Sequence, residues 1–161
     1  MPAIEIKAAD VQKLRQMTGA GLMDCKRALT EKGGDMEKAS QYLREQGISK
    51  SSTRADRVAG EGLIGAWVSD DAKQGILIEL NCETDFVARN DGFVLMSQSL
   101  LKTISSNPSL TSANQVPQEP IQALSAKTGE KIEFTRFVRF KVSGEGLVGQ
   151  YVHPGSKLAV M

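Results

Sequence analysis

The sequence predicts an α+β protein: an N-terminal three-helix bundle, a linker, and then antiparallel β-hairpins packed with helices. Three observations carry this. Up to residue 47, apolar residues recur at helical spacing in three short runs separated by glycine-bearing turns. Gly60 to Val68 (GEGLIGAWV) returns as Gly144 to Val152 (GEGLVGQYV) with six of nine positions identical, and each copy is followed by a polar turn and an apolar strand. That is a duplicated hairpin, and between its copies lie an amphipathic helical stretch and the alternating segment Glu130 to Val142 (EKIEFTRFVRFKV).

The first helix is expected over Ala8 to Met17, with Val11, Leu14 and Met17 inward and Thr18-Gly19 as its end. The second should run from about Leu22 to Lys32 on an inner face of Leu22, Cys25, Ala28 and Leu29, stopped by Gly33-Gly34. Asp35 then caps a third helix, Met36 to Gln46, closed by Gly47. Around the tight turn Thr18 to Gly21, Leu22 and Met23 point about 100° apart. Either one of them is exposed as a soft contact residue, or both are partly buried in so small a bundle.

From Ile48 to Arg57 the chain is polar, Ser-rich and basic, as a linker is. Its Lys50, Arg54 and Arg57 have no aromatic among them to support nucleic-acid binding. The resulting division is 1–47 bundle, 48–58 linker, 59–142 first α+β core subdomain, and 143–161 the start of a second. The second copy stops at Met161 in mid-strand, so the chain reads as a fragment or shortened form of a longer protein. Between the copies, Gly92 to Ser105 is an amphipathic helix with Phe93, Met96, Leu100, Leu101 and Ile104 inward. Asn107 to Pro120 is a Ser/Asn/Pro loop, and Pro120 to Thr128 a short helix with Gly129 at its end. In the Glu130 strand, Ile132, Phe134, Phe137 and Phe140 alternate with Arg136, Arg139 and Lys141, with a slip near Phe137 that suggests a bulge.

Composition narrows the function. With 20 Lys plus Arg against 19 Asp plus Glu, a net charge of +1 gives no reason to expect a nucleic-acid-coating protein. Cys25 and Cys82 read as buried reduced thiols, and the first ten residues form neither a signal peptide nor a membrane span. The single histidine, His153, lies at a hairpin turn; there is no Ser-His-Asp order, no His/Cys cluster and no P-loop. No cofactor or metal is expected, and the chain does not read as an enzyme.

The stretch the rest is built to present is Leu80 to Asn90, LNCETDFVARN. Thr84 can cap a helix whose first turn holds Asp85 at the positive end of the dipole. Asn90-Asp91-Gly92 then usually interrupts a helix. Phe86 is therefore open to two readings: a core residue, or a wedge beside a carboxylate aimed at another protein.

Two stretches, Leu14 to Leu29 (LRQMTGAGLMDCKRAL) and Asn81 to Asn90 (NCETDFVARN), resemble the two signatures of the elongation factor Ts family, the guanine nucleotide exchange factors of elongation factor Tu. With the duplicated hairpin they cover most of the chain. The resemblance implies a UBA-like bundle and, as partner, an elongation factor Tu-type GTPase, with room for further subunits in a larger complex. It implies that Asp85 and Phe86, with Thr84, Val87 and Asn90 around them, enter the GTPase domain. There the Phe wedges between helices and the magnesium site is disturbed. Positions matching Arg15, Leu22 and Met23 would pack on the same domain, and His153 would be a further contact. Family members of full length continue past the second hairpin, and the longer ones add a helical hairpin. The compartment expected is the cytoplasm, or an organelle interior for a eukaryotic source, with no membrane contact. The alternative is a ribosome- or RNA-associated accessory protein using the basic linker and the Arg136 to Lys141 strand, although aromatics and bases there fall mostly on opposite faces. A generic three-helix adaptor fused to an α+β domain is a third reading.

Overall fold

A computed structural model describes residues 6–52 and 54–161. The readings of residues 1–5 and of Thr53, and of the Lys50 side chain, lie outside what it describes. The architecture is α+β, with the helical bundle first.

Helices α1 (Ala8–Thr18), α2 (Leu22–Glu31) and α3 (Met36–Ser52) form the bundle around Val11, Leu14, Cys25, Ala28, Leu29 and Ala39. Asp35 caps α3 as expected, its Oδ1 accepting from the amides of Glu37 and Lys38 at 3.0 Å each. Three expectations need correction here. Helix α3 does not close at Gly47 but runs on to Ser52. A lone glycine costs a helix only about 1 kcal/mol relative to alanine, so it weakens the helix without ending it. Met17 and Leu22, expected inward, are both exposed, and so is Met23. The reason is position: all three flank the α1–α2 turn, where Ala20 already packs against the small core and leaves no depth for longer side chains.

The second layer is an antiparallel sheet of β1 (Glu61–Val68), β2 (Gln74–Cys82) and β3 (Ile132–Lys141), in that order. Helix α5 (Asp91–Ser106) lies on one face through Phe93, Leu100, Leu101 and Ile104, with Met96 half-buried. Contact is close enough at Gly65 that a Cβ there would come within 2.6 Å of Ser97 Oγ. At Gly62, φ is 148° and a Cβ would meet the Leu80 carbonyl at 2.2 Å, so both positions require glycine. Helix α6 (Glu119–Thr128) contributes Ile121 and Leu124 to the same core and ends at Gly129. The loop between α5 and α6 is pinned by buried Leu110 and Val116 and by a 3-10 turn at Ala113–Gln115.

A bulge does interrupt β3, but it sits before Phe137. Glu79 faces Arg136 and Leu80 faces Phe134, which leaves Thr135 as the extra residue. The extra residue keeps Phe134 and Phe137 on the same side, stacked with ring centroids 6.2 Å apart. It also carries Arg139 to the inner side, so beyond the bulge the bases and aromatics no longer separate cleanly by face.

The second hairpin repeats the first in backbone detail. Trp67 pairs with Ile76 and Val68 with Gly75. Their counterparts in β4 (Tyr151–Val152) and β5 (Ala159–Val160) pair likewise, Tyr151 with Val160 and Val152 with Ala159. Ala72 and its counterpart Ser156 both take positive φ, 52° and 54°. The copies also exchange matching hydrogen bonds: Ile64 N donates to Ser156 O at 2.7 Å, and Val148 N donates to Ala72 O at 2.8 Å. Lys73 reaches the carbonyls of Gly144 and Gly146, while Lys157 pairs with Glu61. Equivalent atoms serving both copies describe a local two-fold axis between hairpins. Burial breaks the symmetry: Leu63 is 9% exposed under α5, and its counterpart Leu147 is 71% exposed.

Candidate functional site

Strand β2 ends at Cys82, and three residues later the chain enters the single turn α4 (Asp85–Ala88). Thr84 is its N-cap, with Oγ1 accepting from the Val87 amide at 3.4 Å. Asn90 caps α5 in turn, its Oδ1 accepting from the Gly92 amide at 2.9 Å. The interruption expected at Asn90-Asp91-Gly92 is therefore a helix-to-helix junction. It frees the first turn from the register of the second, and that decides where Phe86 points.

Phe86 is 83% exposed, while Ala88 is buried and Val87 packs half-buried against the core. The core alternative for Phe86 is thus excluded by position. Asp85 pairs with Arg89 one turn on, at 2.9 Å, so the carboxylate beside the ring is held in place yet remains near solvent.

A short helical turn cannot hold itself, and here the support comes from just before β3, distant in sequence but paired beside the end of β2. The Glu130 carboxylate accepts from the Glu83 amide at 3.1 Å, from the Thr84 amide at 3.0 Å and from the Thr84 hydroxyl at 2.6 Å. Glu83 answers in the opposite direction: its Oε1 accepts from the Lys131 amide at 2.6 Å and from Arg57 Nη1 at 3.2 Å. Those partners, the Lys131 amide first, hold the Glu83 carboxyl below its ordinary range. Beneath them Cys82 donates to the Thr84 carbonyl, and burial together with the Glu130 charge pushes its thiol up to about 11. The turn is therefore braced before anything touches it.

Glu130, Glu83 and Arg57 were not legible as site residues. Glu130 looks like an ordinary strand-start acid, and the bonds it makes span 46 and 47 residues of sequence. Arg57, read as a linker base, is engaged in the brace. Arg139 is also engaged: its Nη2 donates to the carbonyls of Ile104, Asn107 and Leu110 and closes the end of α5. Arg136 pairs with Glu79 at 2.6 Å.

The other expected contacts lie elsewhere. Arg15, Leu22 and Met23 are exposed near the α1–α2 turn of the bundle, beside exposed Met17. His153 is exposed at the second hairpin turn, with Nδ1 2.9 Å from the Tyr151 hydroxyl. Among the described residues no hydrogen bond or ion pair joins the three groups. Among the described residues, too, no set of His, Cys, Asp and Glu could hold a metal ion, and no helix is long and apolar enough to cross a membrane.

An aromatic and a carboxylate are held out on a braced turn of this α+β protein, and a separate apolar turn is exposed on its helical bundle. Comparison with known proteins adds a likeness. A family model described as Elongation factor TS matches residues 83–161. The chain is 42% identical over 165 residues to Elongation factor Ts of Clostridium botulinum (strain Alaska E43 / Type E3), covering 97% of this chain and 54% of the relative. It is 41% identical over 167 residues to that of Nostoc sp. (98% and 53%) and 41% identical over 169 residues to that of Chlorobaculum tepidum (98% and 58%). Over nearly its whole length the chain is similar to elongation factor Ts, and it spans about half the length of these curated relatives.

Proposed function

We propose that this chain acts in translation elongation as a guanine nucleotide exchange factor, binding an elongation factor Tu-type GTPase and promoting release of its GDP. The observation that carries the reading is Phe86: a ring 83% exposed on a turn fixed by Glu130 has no role in this molecule's own core. In this mechanism Phe86 enters between helices of the GTPase domain with Asp85 beside it, and the magnesium site is disturbed. Thr84, Val87 and Asn90 keep that turn in shape. Arg15, Leu22 and Met23 provide a second contact on the same domain, and His153 a third.

No bond is made or broken. Exchange requires only that the factor bind the nucleotide-free GTPase more tightly than the nucleotide-bound form; each ligand then weakens the other by the same factor. A preformed wedge serves this well, because little ordering entropy opposes its insertion. The RNA-binding alternative draws less support, since Arg57, Arg136 and Arg139 are already engaged within the chain. The test is release of a fluorescent GDP analogue from an elongation factor Tu-type GTPase. Substoichiometric wild-type chain should accelerate release, and Phe86→Ala should lose most of that acceleration while melting like wild type. Equal acceleration by both proteins would remove the wedge from the mechanism.

A further inference from the structure

The two exposed turns do not touch each other, yet one short segment reaches the supports of both. It is Lys127 to Lys131, which carries the chain from the end of α6 into β3. A Cβ built on Gly19 would come within 2.9 Å of Lys127 Cγ, so the Lys127 stem lies against the α1–α2 turn that exposes Met17, Leu22 and Met23. Two residues on, the Gly129 carbonyl accepts from Arg57 Nη1 at 3.3 Å. Glu130 holds Thr84 at the base of the Phe86 turn. The Lys131 amide donates to Glu83, and its Nζ donates to the Ala55 carbonyl at 3.0 Å.

The chain just past α3 is therefore tied down rather than free. Arg57 Nη1 bridges from Gly129 O to Glu83 Oε1 at 3.2 Å, and the Arg57 amide donates to the Arg54 carbonyl at 3.1 Å. Packing by itself leaves the angle between bundle and core loosely set. Helix α3 does meet α6, but a cavity of about 550 Å³ opens between the bundle and α6, with Met17, Leu43 and Ala123 in its walls. Where side chains leave such room, discrete ties decide the geometry. Each exposed tie contributes little alone, so what counts is that several converge on one segment.

We infer that Lys127 to Lys131, together with Arg57, forms a joint that holds the α1–α2 turn and the Phe86 turn at a fixed relative position, so that both meet one partner surface at once. Arg57 and Lys131 are positioning residues in this arrangement and act through the turns they hold. The inference rests on the exchange reading for the partner's identity alone. When two contacts sit on one rigid body, the second forms without a further search once the first is made. The gain is in affinity, because the ordering cost is met before binding.

Residual dipolar couplings of the backbone amides test the joint without any partner. In the wild-type full chain one alignment tensor should fit the bundle and the β1–β3 sheet together. The double variant Arg57→Met, Lys131→Met keeps the Lys131 amide and the Glu130 bonds, and its bundle and sheet should need separate tensors. In the GDP-release assay that variant should require roughly fivefold or more protein for half-maximal acceleration, with the plateau as in wild type, whereas Phe86→Ala lowers the plateau. Should the double variant unfold, Arg57→Gln alone takes its place, with smaller changes in the same directions. Separate tensors in wild type, a single tensor in the folded variant, or an unchanged half-maximal concentration overturns the inference. A wild type that fits one tensor but accelerates no GDP release fails the exchange reading instead and leaves the joint standing.

Discussion

Replacing Glu130 tests whether the projecting turn is braced from a distance. Its carboxylate receives three hydrogen bonds, two from the Glu83 and Thr84 amides at 3.1 and 3.0 Å and one from the Thr84 hydroxyl at 2.6 Å. Hydrogen bonds to a charged group contribute about 1.5–3 kcal/mol each, and buried donors left unpaired carry a penalty of similar size. The site is only partly buried, so water recovers part of the loss in Glu130→Ala. The net cost is expected at about 2–4 kcal/mol, well short of unfolding a domain stable by about 5–15 kcal/mol. Glu130→Gln is the sharper probe. Its amide oxygen can still accept from both backbone amides and its NH2 can donate to Thr84 Oγ1, so only charge assistance is lost, about 1 kcal/mol. Urea unfolding gives both values, and hydrogen exchange at the Thr84 amide locates the effect. Acceleration of GDP release should fall in the same order, alanine more than glutamine, because a loosened wedge must be ordered on binding. If Glu130→Ala stays within about 0.5 kcal/mol of wild type, with exchange at Thr84 unchanged, the brace does not exist as described.

Three further outcomes are expected. Phe86→Ala should change stability by less than about 0.5 kcal/mol, whereas Phe93→Ala, at a fully buried position, should cost about 3–5 kcal/mol; chemical denaturation of the pair separates an outward ring from an inward one. Arg139→Met should destabilise by about 1–3 kcal/mol through the unpaired carbonyls at the end of α5, seen as faster hydrogen exchange at Asn107 and Leu110. Because the folded Glu83 carboxyl lies below its ordinary value of 4.5, its contribution is complete above that pH and fades as pH falls through the lower folded-state value. Acid titration of stability should therefore be flatter in Glu83→Gln below pH 4.5 than in wild type, and parallel curves would remove Glu83 from the brace.

The sequence by itself determined the elements and most of the site's address. Thr84, Asn90 and Gly129 announced helix ends because capping is local chemistry, and the Gly60 and Gly144 segments announced two like hairpins because they spell nearly the same words. Their shared register and the paired positive φ at Ala72 and Ser156 follow from that likeness. The Leu80 to Asn90 stretch could be singled out in the same way. Its aromatic could not be oriented, since periodicity allows Phe86 either face until the junction at Asn90 resets the register. Only the tertiary structure decided that the ring faces out, that Leu22 joins Met23 at the surface, and that Arg139 turns inward past the bulge at Thr135. It alone joined Glu130 to Thr84 and buried Arg54 Nε and Nη2 without a hydrogen-bond partner. Caps and turns are set by neighbours a few residues apart, whereas exposure and long-range pairing depend on what the folded chain brings against a side chain. No local spacing encodes a carboxylate that arrives from 46 residues away.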